Sequence, residues 1–147
     1  MGGINIGRWL AGGVVAATII FVLEGALGSL YSERTEQAWA AHNITMSMDA
    51  SLLGWAIVLS LLTGLVLIFF YAAARTRFGA GAKTAVIVAV AMTLGSAVPT
   101  LIGYRMLNLY PVDLLMTWAV QLSVEYLIAT MAGALVYKER AGRELKR

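Results

Sequence analysis

The chain has 147 residues, of which 60% are hydrophobic and 13% charged, against about 25% charged in soluble domains. A soluble domain this apolar would lack the polar residues to cover its exterior, so one membrane domain is expected to account for all 147 residues. There is no cysteine, which excludes disulfides, thiolate metal sites and thiol catalysis. The net charge of +3 does not lie in a basic stripe interleaved with exposed aromatics, which argues against nucleic-acid binding.

A membrane helix needs roughly 20 apolar residues, and four segments are long enough. The first runs from about Trp9 to Leu30, the second from Leu52 to Ala74, the third from Thr84 to Gly103 and the fourth from Leu114 to Tyr137. The expected fold is therefore an all-α integral membrane four-helix bundle. Arg8, Arg75, Arg77, Lys83, Lys138, Arg140, Arg143, Lys146 and Arg147 fall on one side of it, and only Arg34 and Arg105 on the other. Short cytoplasmic loops are enriched in Lys and Arg, so both termini are expected in the cytoplasm. Trp9, Tyr71, Phe78 and Tyr137 are expected at the inner interface, and Tyr31, Trp55, Tyr104, Tyr110 and Trp118 at the outer one.

The first span has an apolar run too long for a signal peptide, with Glu24 just before its small residues, and is expected to be retained. Ser32 to His42 is expected to form a short interfacial helix, with Ser32 as its N-cap and Trp39 dipping toward the headgroups. Asp49 is a plausible N-cap for the second span, and Pro111 suits the first turn of the fourth. The turn Arg75-Thr-Arg-Phe-Gly-Ala-Gly-Ala-Lys83 is basic. Arg75, Arg77 and Lys83 are candidate contacts to lipid headgroups, and Gly79 with Gly81 could shape an anion-binding nest. Pro99 should kink the third span, with Ser96 and Thr100 placed to satisfy the freed carbonyl.

Small residues let membrane helices pack closely. The pairs Gly12/Ala16, Gly25/Ser29, Ser60/Gly64, Ala91/Gly95 and Ala129/Gly133 give every span such a stripe. The pattern Trp55-Ala-Ile-Val-Leu-Ser60 recurs as Trp118-Ala-Val-Gln-Leu-Ser123, which hints at two duplicated hairpins.

Two ionisable residues lie well inside the spans, Glu24 and Glu125. Glu125 falls near the bilayer centre and Glu24 about 7 Å from it, by helical rise. Gln121 is one turn from Glu125 on the same face, so Glu24, Gln121 and Glu125 converge if the first and fourth helices are neighbours. A carboxylate at that depth costs at least a few kcal/mol, and of the basic residues only Arg105 is near enough to reach Glu24. Glu125 is expected to carry a proton near neutral pH. The three residues form a candidate proton or cation site, with Ser60, Thr63 and Tyr126 the nearest polar groups by depth. His42 is expected to be a solvated loop residue.

The stretch from Tyr71 to Ala85 reads Tyr-Ala-Ala-x-Arg-x-Arg-Phe-Gly-x-Gly-x-Lys-Thr-Ala. It resembles a turn found in small bacterial four-span membrane proteins of unassigned function. Their ending of Trp, Glu, Gly and Tyr-x-Glu is similar to Trp118, Glu125, Gly133 and 137–139 here, although Ala134, Leu135 and Val136 separate the glycine from the tyrosine. The resemblance implies a bacterial inner membrane and no known activity. Small multidrug transporters share the four spans and a glutamate in the first, but this chain is longer and lacks their surrounding aromatics.

No catalytic constellation, cofactor signature or metal cluster is present, so an enzyme is not expected. Short loops and small-residue faces point to a scaffold or accessory subunit of a membrane complex, with a membrane-protein partner. The alternative is a small homo-oligomeric proton- or cation-coupled transporter built on Glu24 and Glu125.

Overall fold

Asn5 starts the first helix by accepting the Arg8 amide on its side-chain oxygen, 3.1 Å away. The computed structural model describes residues 4–45, 47 and 49–137. Among them are five helices and no strand. They are α1 (Ile6–Gly28), α2 (Ser32–Ala41), α3 (Ala50–Phe78), α4 (Ala82–Met106) and α5 (Val112–Val136). All but α2 are long and apolar enough to cross a membrane. The basic tail from Lys138 onward, counted above for orientation, lies outside the described residues.

All four long helices start before the expected residue, α3 and α4 also run past the expected end, and α1 stops short of it at Gly28. The apolar run of α3 stops near Ala74, but Thr76, Arg75 and Arg77 continue it, and cations favour the carbonyl end of a helix. Gly79, at φ 85°, then ends it. At its start Asp49 accepts the Leu52 amide at 2.9 Å, the expected cap. Pro111 is the residue just before α5 rather than part of its first turn. Ser32 does not cap α2; that place is taken by Tyr31 without a side-chain bond, and the Ser32 hydroxyl donates back to the Ser29 carbonyl.

Pro99 acts upstream of itself. Residues Thr93–Ala97 form a π turn in which the Val98 amide donates to the Thr93 carbonyl, five residues back. The wider turn opens the hydrogen-bond ladder ahead of the ring, which has no N–H to give. The Thr100 hydroxyl donates to the Ser96 carbonyl at 2.9 Å, one residue past the Gly95 carbonyl that the proline frees.

The helices pack in the cyclic order α1, α3, α4, α5, and α3 also touches α5 across the ring. Backbone contact sets this order. A Cβ on Gly64 would lie 2.5 Å from the Ala17 nitrogen and the Gly13 oxygen, and one on Gly12 would lie 2.7 Å from the Gly133 oxygen. Thus α1 is clasped by α3 on one side and by α5 on the other, with Ala16, Leu67, Ile68 and Ala129 fully buried between them. Trp9 strengthens the first contact by donating its indole N–H to the Leu65 carbonyl at 2.8 Å.

Three of the five small-residue pairs make these contacts. The other two do not: Gly25 and Gly95 have open space where a side chain would stand, and Ser29 and Ala91 are exposed. The Trp-to-Ser repeat also splits. Trp118 packs edge-on against Tyr31 and Tyr110, whereas Trp55 is 70% exposed on a first third of α3 that touches little.

Helix α2 is tied across the end opposite the basic turn. Arg34 pairs with Asp113, Trp39 donates to the Tyr110 hydroxyl at 3.0 Å, and the His42 ring meets the Asn108 carbonyl at 3.1 Å. Trp39 is therefore held by the α4–α5 connection.

Candidate functional site

Three residues expected to converge do so, because the Gly12–Gly133 approach makes α1 and α5 neighbours. Gln121 stands between the two acids. Its amide nitrogen donates to Glu125 Oε1 at 2.7 Å and to Glu24 Oε2 at 2.9 Å. An amide NH₂ has two protons, so one goes to each carboxyl. The i to i+4 spacing of Gln121 and Glu125 on α5 places both on one face.

The two acids differ in surroundings. Glu125 is fully buried, and its Oε2 has no hydrogen-bond partner. Glu24, in the last two turns of α1, is exposed. Among the described residues neither carboxyl meets a cationic side chain. Arg105 does not reach Glu24; its guanidinium donates to Asn108 Oδ1 at 2.8 Å in the α4–α5 connection. Of the other polar groups matched by depth, the Thr63 hydroxyl is spent on the Leu59 carbonyl of its own helix.

Tyr31 completes the site and was placed by the sequence only at an interface. Its hydroxyl donates to Gln121 Oε1 at 2.5 Å, so the amide is fixed at both ends. Tyr31 lies beyond the end of α1, in the turn that leads into α2, so no helical spacing links it to Glu24 in the sequence. The Tyr31 ring meets Trp118 at 6.2 Å, and Trp118 meets Tyr110 at 4.7 Å. Tyr31, Trp118 and Tyr110 thus form a run of edge-on rings that begins at Gln121.

Burial, and then the Glu24 carboxylate, push the Tyr31 phenol up to about 12 from an ordinary value near 10. The folded protein therefore holds this proton over a pH range in which the unfolded chain has lost it. Its contribution to stability is complete below about pH 10 and is expected to fall as pH rises toward about 12. Ultraviolet titration of tyrosinate should show a late-titrating phenol that Tyr31→Phe removes. A wild-type titration with no such phenol would contradict the burial of Tyr31 beside Glu24.

The second candidate set divides. Arg75 is half-buried; its guanidinium donates to the Tyr137 carbonyl at 3.3 Å and lies 5.2 Å over the Tyr137 ring. Arg77 and Lys83 are exposed. Gly79 and Gly81 take positive φ, but they do not leave a free amide nest, because the Gly81 N–H donates to the Tyr71 hydroxyl at 3.1 Å. Tyr71 and Tyr137 are packed inside the protein, 3% and 1% exposed. Each phenol oxygen accepts a backbone N–H, which lets it lie inside.

Compared with known proteins, the chain matches no protein family, no curated protein and no solved structure.

Proposed function

We propose that this chain is a small proton- or cation-handling membrane protein whose working groups are Glu24, Gln121 and Glu125. One observation carries the reading: a single amide bridges a fully buried carboxyl and an exposed one, and among the described residues no cationic side chain pairs with either. The shared amide links the two carboxyls. They bind and release protons as a pair rather than singly. The pair is also asymmetric. Glu24 opens to the surroundings of α1, and Glu125 stores charge or a proton inside, with a free oxygen to receive it. Intramembrane acids that face a helix interior commonly mark ion or proton pathways.

In this reading the four long helices span a bacterial inner membrane, with both termini cytoplasmic and the basic turn inside. Four helices enclose little room, so a transport path would run between copies of the chain. The exposed first third of α3 and the open Gly25 and Gly95 faces favour further membrane-protein contacts. They equally support a second reading, a scaffold or accessory subunit of a larger complex.

Proteoliposomes test the first reading. With an imposed pH gradient, the wild-type protein should dissipate the gradient faster than empty vesicles. Glu125→Gln, incorporated and folded to the same degree, should return the rate to that of empty vesicles. Equal flux in wild type and variant, or none in either, would remove the site from transport and leave the accessory reading.

A further inference from the structure

The two ends of a glutamine amide have nearly the same shape, so distances decide which end faces the acids. The end of Gln121 that meets the Tyr31 hydroxyl lies 2.5 Å from it. That length fits an O–H···O bond and falls below the roughly 2.7–3.2 Å of N–H···O bonds, so this end is the carbonyl oxygen. The NH₂ end therefore points at the carboxyls, 2.7 Å from Glu125 Oε1 and 2.9 Å from Glu24 Oε2. The Tyr31 contact keeps it there.

The place between the two acids is thus filled by N–H protons. Each of the two nearest carboxyl oxygens accepts one of them, and a metal ion at that place would face the positive end of the amide. What is left inside is a single atom, Glu125 Oε2. The side chain is fully buried, and this oxygen has no hydrogen-bond partner among the described residues. One turn away on α5 stand Gln121, already used, and Ala129, which has no side-chain oxygen. The titratable groups around it are Glu24 from α1, Tyr31 from the turn after α1, and its chain neighbour Tyr126. Helices α3 and α4 carry ionisable residues only toward their ends: Tyr71, Arg75 and Arg77 on α3, and Lys83, Tyr104 and Arg105 on α4.

Metal ions and protons ask different things of such an atom. Calcium takes about six to eight oxygen ligands and magnesium about six, and a potassium ion gives up its water only to a ring of oxygens. One free oxygen on a buried side chain does not supply them. A proton needs one lone pair. An ionised Oε2 without a donor is a costly buried group, and protonation removes its charge. We infer that the site takes protons and not metal cations, and that Glu125 holds its proton on Oε2 while Oε1 stays on the Gln121 amide. The inference rests on the reading of Glu24, Gln121 and Glu125 as the working groups, and narrows what they carry to the proton.

The test is infrared titration of the carboxylic-acid carbonyl band of the full chain in detergent, with sodium, potassium, calcium or choline chloride at equal ionic strength. The Glu125 band, assigned by its loss in Glu125→Gln, should titrate at the same pH in all four salts. A metal ion that bound the ionised acid would lower that midpoint by up to about one unit for each tenfold rise in its concentration. If Glu125→Gln does not fold, the slow hydrogen–deuterium exchange of a buried acid assigns the band in the wild type. A midpoint that falls with any of the metal ions, or a Glu125 with no titrating acid band, would overturn the inference. Vesicle flux reports on the parent reading separately. Absent proton flux with a cation-insensitive band would end the transport reading and leave the proton site standing. Proton flux with a cation-sensitive band would keep that reading and refute the restriction to protons.

Discussion

Gly64→Val should separate α1 from α3 and lower stability by about 3 kcal/mol or more, beyond the usual cost of an overpacked core. The reason is the identity of the atoms in the way. A side chain at this position meets the Ala17 nitrogen and the Gly13 oxygen at 2.5 Å. Both belong to a helix backbone and cannot rotate aside. In a membrane, close packing rather than burial brings helices together, so loss of this contact is not offset elsewhere. Gly25→Ala and Gly95→Ala are the controls. Both sites are open, and alanine favours a helix by up to about 1 kcal/mol over glycine. Thermal unfolding in detergent followed by circular dichroism should rank Gly64→Val far below wild type and the two controls at or above it. A Gly64→Val protein that melts with wild type would refute the α1–α3 contact.

Gln121→Leu should be the most damaging single change at the carboxyl site. Its amide serves three partners: it donates to Glu24 and Glu125 and accepts from Tyr31. Leucine fills similar space but leaves a buried carboxyl oxygen and a phenol without a partner, and each such group costs about 1–3 kcal/mol. Gln121→Glu keeps the acceptor for Tyr31 but sets a third acid beside two others, so it should not rescue the loss. Denaturant unfolding would show Gln121→Leu destabilised by more than Glu24→Gln, which removes an exposed group. The reverse order would mean that the amide does not join the two acids.

The helices were legible because hydropathy over 20 or more residues does not depend on tertiary context. Their ends were less so. The apolar count stops at Ala74, whereas α3 stops only where Gly79 turns the backbone. Pro99 announced a disturbance, but not that it would fall upstream as a π turn from Thr93 to Ala97. Five small-residue pairs looked alike in sequence, and only the packed helices distinguish Gly64 from Gly95. At the site, Gln121 and Glu125 follow from spacing along one helix. Their meeting with Glu24 depended on which helices are neighbours, which Gly12 and Gly133 decide. Tyr31 read as an interface aromatic because its partner is ninety residues away. The same blindness hid Tyr71 and Tyr137, whose polar tips are satisfied by amides of remote turns.

In the proposed site Glu24 and Glu125 act as one linked pair through Gln121. Infrared difference titration of the carboxylic-acid carbonyl band tests it most directly, with Glu125→Gln used to assign the buried acid's signal. The account predicts that Glu24→Gln moves the pH midpoint of the Glu125 band by more than about one unit, the mark of interacting sites. A Glu125 band whose midpoint stays in place when Glu24 is replaced would contradict it.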